Sequence, residues 1–162
     1  MGATLTINET TSKMVRLVNG KLVVEDGQRN LYMVPPKGEY EWMITGYALP
    51  FEMKKSAQFI KPGESEYATK TRLEITITSG KGAGKMFTEM FGFSIGARST
   101  LGKLLRALNV SLEPDPNTRQ WDLDRVIGYA GKSYVTHGQD ATGAVKLDDQ
   151  GKPKYASIVI DT

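Results

Sequence analysis

Between Glu66 and Thr78 the chain alternates with period two. Tyr67, Thr69, Thr71, Leu73, Ile75 and Ile77 fall on one side, and Ala68, Lys70, Arg72, Glu74 and Thr76 on the other. Residues spaced by two scatter around a helix of 3.6 residues per turn but line one face of a strand. The polar second face argues for an antiparallel sheet with one wet side. SGKGAG (79–84) then supplies a turn, and KMFTEMFGF (85–93) a return strand. That strand carries Phe87, Phe91 and Phe93 on one face and Met86 and Met90 on the other. It is either covered on both sides or exposes rings for a purpose.

The remaining pattern extends this sheet. Residues 1–12 read as a polar leader. Val15 and Leu17, then Leu22 and Val24, alternate around Asn19-Gly20, a pair suited to a two-residue type I′ hairpin over 14–25. Residues 26–38 form a turn-rich connection ending at Pro35-Pro36. A long strand over 39–53 follows, with a bend or bulge expected at Gly46 and an end or edge at Pro50. Residues 54–65 read as a basic loop holding Phe59. The spacing of Leu101, Leu104, Leu105 and Leu108 predicts a helix over 99–110, capped by Ser99 or Thr100 and closed by Asn109. WDLDRVIG predicts a short helical turn. Strands are expected at 131–138 and 153–161, joined by a polar linker over 139–152.

Apart from the hairpin, this gives five strands with one helix between the third and fourth. That is the order of a five-stranded OB-fold barrel, whose first strand must bend to pair in both halves. The expected fold class is therefore mainly β, an OB-fold domain over 35–162 with an N-terminal leader and hairpin extension over 1–34. An antiparallel α+β sandwich is the alternative.

Composition removes several chemistries. The chain has 162 residues, no cysteine and one histidine. Disulfide scaffolds, thiolate metal sites and cysteine nucleophiles are excluded, and a multi-histidine site is too. No run approaches a membrane span and no signal peptide is visible at the start, so a soluble cytoplasmic protein is expected. GKGAGK (80–85) resembles a phosphate loop but has Ser79 where the first glycine belongs, Met86 in place of the hydroxyl, and a strand after it. Gly131-Lys132-Ser133 fails in the same way, with Val126 in the first-glycine position. His137, Asp140 and Ser133 lie too close along one segment to form a triad. Asp122 and Asp124 lack further acids for a metal site and suit capping beside Trp121. No catalytic residue, metal or cofactor is expected, and the protein is read as a non-enzyme.

Charge supplies the positive signal. From Lys54 to Arg106 there are ten basic and four acidic residues, a net of +6, while the rest of the chain carries −3. A basic middle interleaved with aromatics suits single-stranded nucleic acid, because cations track phosphates and rings stack on unpaired bases. The candidate cations are Lys54, Lys55, Lys61, Lys70, Arg72 and Lys85. The candidate stacking rings are Phe59, Tyr67, Phe87, Phe91 and Tyr134. For Phe87, Phe91 and Trp42 a place in the core is an equal alternative. Lys70 with Arg72, opposite Leu73 and Ile75, is the strongest pair.

Several stretches together resemble phage-encoded OB-fold proteins of the single-stranded DNA-binding type. They are Pro36, Gly38 and Tyr40 in the first strand; Gly80, Lys81, Gly84 and Lys85 in the turn; Leu101, Leu104 and Leu105 in the helix; and Leu123 with Gly128 before the fourth strand. Tyr129-Ala130 is inserted before Gly131-Lys132. The resemblance covers about 35–160 and rests on turn and core positions. It implies largely sequence-independent single-stranded DNA binding in phage replication or recombination, in the host cytoplasm, with replication or recombination proteins as partners and a homo-oligomer as a further possibility. The sequence reads IVIDT at its end, without the acidic tail that bacterial single-stranded DNA-binding proteins use to recruit partners, so the resemblance does not carry over that mode of recruitment. A second expectation keeps the same barrel as a protein-interaction or structural module, a replisome adaptor or virion component, with strand 86–93 and the hairpin as partner surfaces.

Overall fold

A computed structural model describes residues 13–19, 21–26, 32–55 and 57–160. The expected leader over 1–12 and residues 27–31 of the expected 26–38 connection lie outside these residues. Eight strands and one α-helix occur in the order β1 (Lys13–Val18), β2 (Lys21–Asp26), β3 (Gly38–Ala48), β4 (Phe51–Lys54), β5 (Tyr67–Ile77), β6 (Met86–Gly92), α1 (Thr100–Ala107), β7 (Ala130–His137) and β8 (Ala156–Ile158). The protein is mainly β with one helix between β6 and β7. None of its described helices is long and apolar enough to cross a membrane.

All ladders are antiparallel, and β3 and β5 organise them. β5 bonds β6 along one edge, and β3 and then β4 along the other. The far edge of β3 takes β7 along its first half and β1 along its second. β8 adds to β7. The sheet is open: among the described residues no ladder joins β6 to β8, so a closed barrel is not what is observed. A single carboxylate spans that seam. Glu89 on β6 accepts from the backbone N–H of Ile158 at 2.7 Å and from the Ser157 hydroxyl at 3.0 Å.

The expected bend is present in β3 with an added cause. The β3–β5 register slips between Ile44 and Gly46, a bulge that leaves Thr45 as the extra residue. A Cβ on Gly46 would lie 2.9 Å from the Val15 carbonyl, so glycine is also what lets the hairpin approach. Past Pro50 the expected single strand breaks in two, and β4 crosses to pair with the start of β5. The hairpin is sewn into the sheet at this point. Arg16 and Glu74 form a buried ion pair, with Arg16 Nε donating to Glu74 at 2.7 Å. Tyr32 donates to the same carboxylate at 2.8 Å and Thr45 at 2.7 Å. Burial first, then the hydrogen bond to Glu74, pushes the Tyr32 hydroxyl up to about 12.

The core lies on one side of the sheet, against α1. Trp42 and Ile44 from β3, Leu73, Ile75 and Ile77 from β5, and Phe87 and Phe91 from β6 meet Leu101, Leu104 and Leu105 of α1. The helix is capped as expected, with Ser99 Oγ accepting from Gly102 N at 2.9 Å. Asn109 turns the chain at φ 60°. The 139–152 segment is more ordered in pattern than a linker. Two tight turns are held by Asp140 and Asp148, each accepting from backbone N–H groups two and four residues on.

Candidate nucleic-acid interface

Strand alternation sorts the candidate residues onto different surfaces. Lys70 and Arg72 stand on the outer face of β5, opposite the buried Leu73 and Ile75. Cross-strand, Lys70 faces Phe51 on one side and Gly92 on the other, and Arg72 faces Met90. Arg72 lies over the Phe51 ring, 4.6 Å from its centroid. The ring itself is buried, and a guanidinium at this distance over a ring is held by cation–π attraction. Met53 and Met90 border the two cations and are exposed. The patch thus joins two positive charges to two polarisable thioethers, with no carboxylate among its cross-strand neighbours. The next acid on this face, Glu74, is buried against Arg16.

A two-stranded arm projects beyond this patch. It comprises β4, the short 3-10 turn Ala57–Phe59, the loop to residue 66, and the first residues of β5. Lys54 pairs with Tyr67 across the arm, one step from the Met53–Ala68 pair. Lys54 and Tyr67 therefore fall on the face opposite Lys70 and Arg72. Tyr67 is 47% exposed, and Lys54 and Lys61 are exposed as well. Lys55 is engaged with Glu64 at 3.4 Å, a surface pair worth little. Phe59 sits in the 3-10 turn, but its ring lies outside the described side chains.

Four candidates separate from this cluster. Phe87 is 3% exposed and packs in the core with Phe91, so neither ring offers a stacking face. The reason is register: Phe87 pairs with Ile75, and paired residues share a side of the sheet. Lys85 follows the 79–84 turn, at the Ile77 end of β5, whereas the arm is at the Tyr67 end. Tyr134 is 48% exposed on β7, where it faces Glu39 on β3. It is two strands away from β5 and next to an acid. The Met/Phe-rich strand as a partner surface reduces to Met90, since Met86, Phe87 and Phe91 are buried.

The structure also assembles residues that the sequence did not group. Tyr155 is 46% exposed and has Lys154 and Lys146 at 5.4 and 5.8 Å from its ring centre. Lys146 reaches it only because the two turns of 139–152 fold the chain back, so spacing alone carried no signal. Met53 was equally unmarked, whereas Met90 was marked only as part of strand 86–93 and not beside Lys70 and Arg72. The phosphate-loop look-alike is a plain turn, with Gly80, Gly82 and Gly84 all at positive φ and a strand after it. His137 is tied to the Pro35 carbonyl at 2.9 Å. No protein-family model, no curated protein and no solved structure matches the chain.

Proposed function

We propose that this protein binds single-stranded DNA, with little sequence preference, in phage DNA replication or recombination. The fold reading that accompanies it takes β3, β5, β6, β7 and β8 as the five strands of an OB-fold whose last seam is made by Glu89 instead of a ladder. The spatial order β6-β5-β3-β7-β8, with the helix entering between β6 and β7, supports this reading. The observation that carries the function is the outer-face patch. Lys70 and Arg72 stand together among Phe51, Met53 and Met90, beside an arm bearing Lys54, Lys61 and Tyr67. Cations of the outer face would neutralise phosphates while its thioethers meet base faces, and Lys54 and Tyr67, on the other face of the arm, would be reached only by a strand that wraps round the arm. Such contacts read no base edges, which is why little sequence preference is expected. The phage setting rests on the motif resemblance.

Charge change at the patch is the direct test. Lys70→Glu and Arg72→Gln should each weaken oligo-dT binding by roughly tenfold and lower the salt slope by about 1 per lost phosphate contact. Fluorescence anisotropy with both variants, and circular dichroism to check folding, measures this. Folded variants that bind like the parent chain would move the site elsewhere.

A further inference from the structure

The hairpin ends the sheet on one side. β2 bonds β1 and, among the described residues, no other strand. Its middle is apolar on both faces: Leu22, Val23 and Val24 are 40%, 37% and 53% exposed. Edge strands are normally blunted by charge, proline or cover, because their free N–H and C=O groups template another strand. This one is not blunted at its centre.

The hairpin register decides which backbone groups face the open edge. With two residues in the turn, Val18 and Lys21 exchange both hydrogen bonds, and every second pair after them does the same. Arg16 with Val23 and Met14 with Glu25 are those pairs. The intervening residues turn their groups away from the hairpin. On β1 this is visible directly, because the Val15 carbonyl faces β3 and comes within 2.9 Å of a Cβ built on Gly46. On β2 the outward groups therefore belong to Leu22 and Val24, the partner positions of Leu17 and Val15.

We propose that β2 pairs with β2 of a second copy of this chain, antiparallel, about a two-fold axis at Val23. The outward groups allow a two-fold centred on Leu22, Val23 or Val24. Centring on Val24 sets Val23 against Glu25, and centring on Leu22 sets Lys21 against Val23. Centring on Val23 sets Leu22 opposite Val24, Val23 opposite itself, and Lys21 opposite Glu25 at both ends. Only that register matches apolar residues with apolar ones and opposite charges with each other. The contact is isologous, so it closes on itself as a dimer and does not propagate into a fibre. It joins two sheets into one and is independent of the nucleic-acid reading.

The full chain contains no cysteine, which makes the register testable. Opposed Val23 residues form a non-hydrogen-bonded pair with Cα atoms about 4.5 Å apart, within disulfide range. Val23→Cys should therefore give a disulfide-linked dimer under mild oxidation, faster than Leu22→Cys or Val24→Cys. Lys21→Glu and Glu25→Lys should each weaken self-association by roughly tenfold in sedimentation velocity. The double variant should restore it. Within one hairpin Lys21 pairs with Val18 and Glu25 with Met14, so rescue can only act between copies. A chain that stays monomeric at every concentration, equal crosslinking at all three positions, or a double variant no tighter than the single ones would overturn the proposal.

Discussion

Glu89 shows how one residue carries a seam. It stands half-buried on the Phe87/Phe91 side of β6, and its two oxygens reach β8, to which no ladder runs from β6 among the described residues. Burial pushes its carboxyl up to about 7, although the bonds from Ile158 and Ser157 pull it down. A carboxyl whose folded pKa lies above its unfolded value is stabilising when protonated. Its contribution is full below about 4.5, the ordinary value, and is lost as pH rises through about 7. Stability should therefore fall by roughly 3 kcal/mol across that window. Glu89→Gln should flatten the dependence, as measured by urea denaturation at several pH values. An unchanged slope in the variant would assign it to another group. Alternation alone put Glu89 on the inner face, but its partners are 68 and 69 residues away and no local pattern announces them.

Arg16 makes the complementary case. Its partner Glu74 lies on the polar side of the clearest alternating strand and reads there as a solvated acid, yet it is 1% exposed. The hairpin covers it. Arg16→Ala would leave a buried carboxylate without its cation and should cost about 3–5 kcal/mol, read as a shifted urea midpoint. A cost near zero would mean that the hairpin can leave the sheet without penalty.

At the scale of elements, what was legible is what short-range chemistry dictates. The Asn19-Gly20 turn, the bulge before Gly46, the 66–78 alternation and the Ser99-capped helix all follow from spacing within a dozen residues. Long-range close approaches did not announce themselves. Gly131 is the second residue of β7, in a sequence that reads as a loop-to-strand entry, but a Cβ there would lie 2.7 and 2.8 Å from the Trp42 ring. Gly131→Ala should push Trp42 off its Ser133 hydrogen bond, cost about 1–3 kcal/mol and shift the tryptophan emission. An unchanged spectrum and melting temperature would show that the ring has room. β4 was hidden for a related reason. Pro50 correctly marked a break, but which strand the chain joins afterwards depends on β5 extending beyond its β3 ladder, which ends at Leu73, back to Tyr67.

For the whole molecule, the charge count located the site only coarsely. The net +6 of the central segment spreads over four places: the arm, the outer face of β5, the far turn with Lys81 and Lys85, and α1 with the residues just before it, which carry Arg98, Lys103 and Arg106. Only the first two adjoin. Faces, not sequence windows, decide what a strand of nucleic acid can touch, and faces depend on which neighbours cover them. Phe87 and Phe91 were lost to the core and Tyr134 to another surface by that rule. Met53 and the Tyr155 cluster are positions that only the folded chain reveals.

The central claim is that the Lys70–Arg72 face and its arm engage unpaired DNA. The most direct measurement is anisotropy of labelled oligo-dT, a matched duplex and an RNA of equal length, each titrated with the full chain across a range of salt. The account predicts preference for oligo-dT over duplex, with affinity falling linearly in log–log terms as salt rises. Absence of binding to all three at low salt, or preference for the duplex, would contradict it.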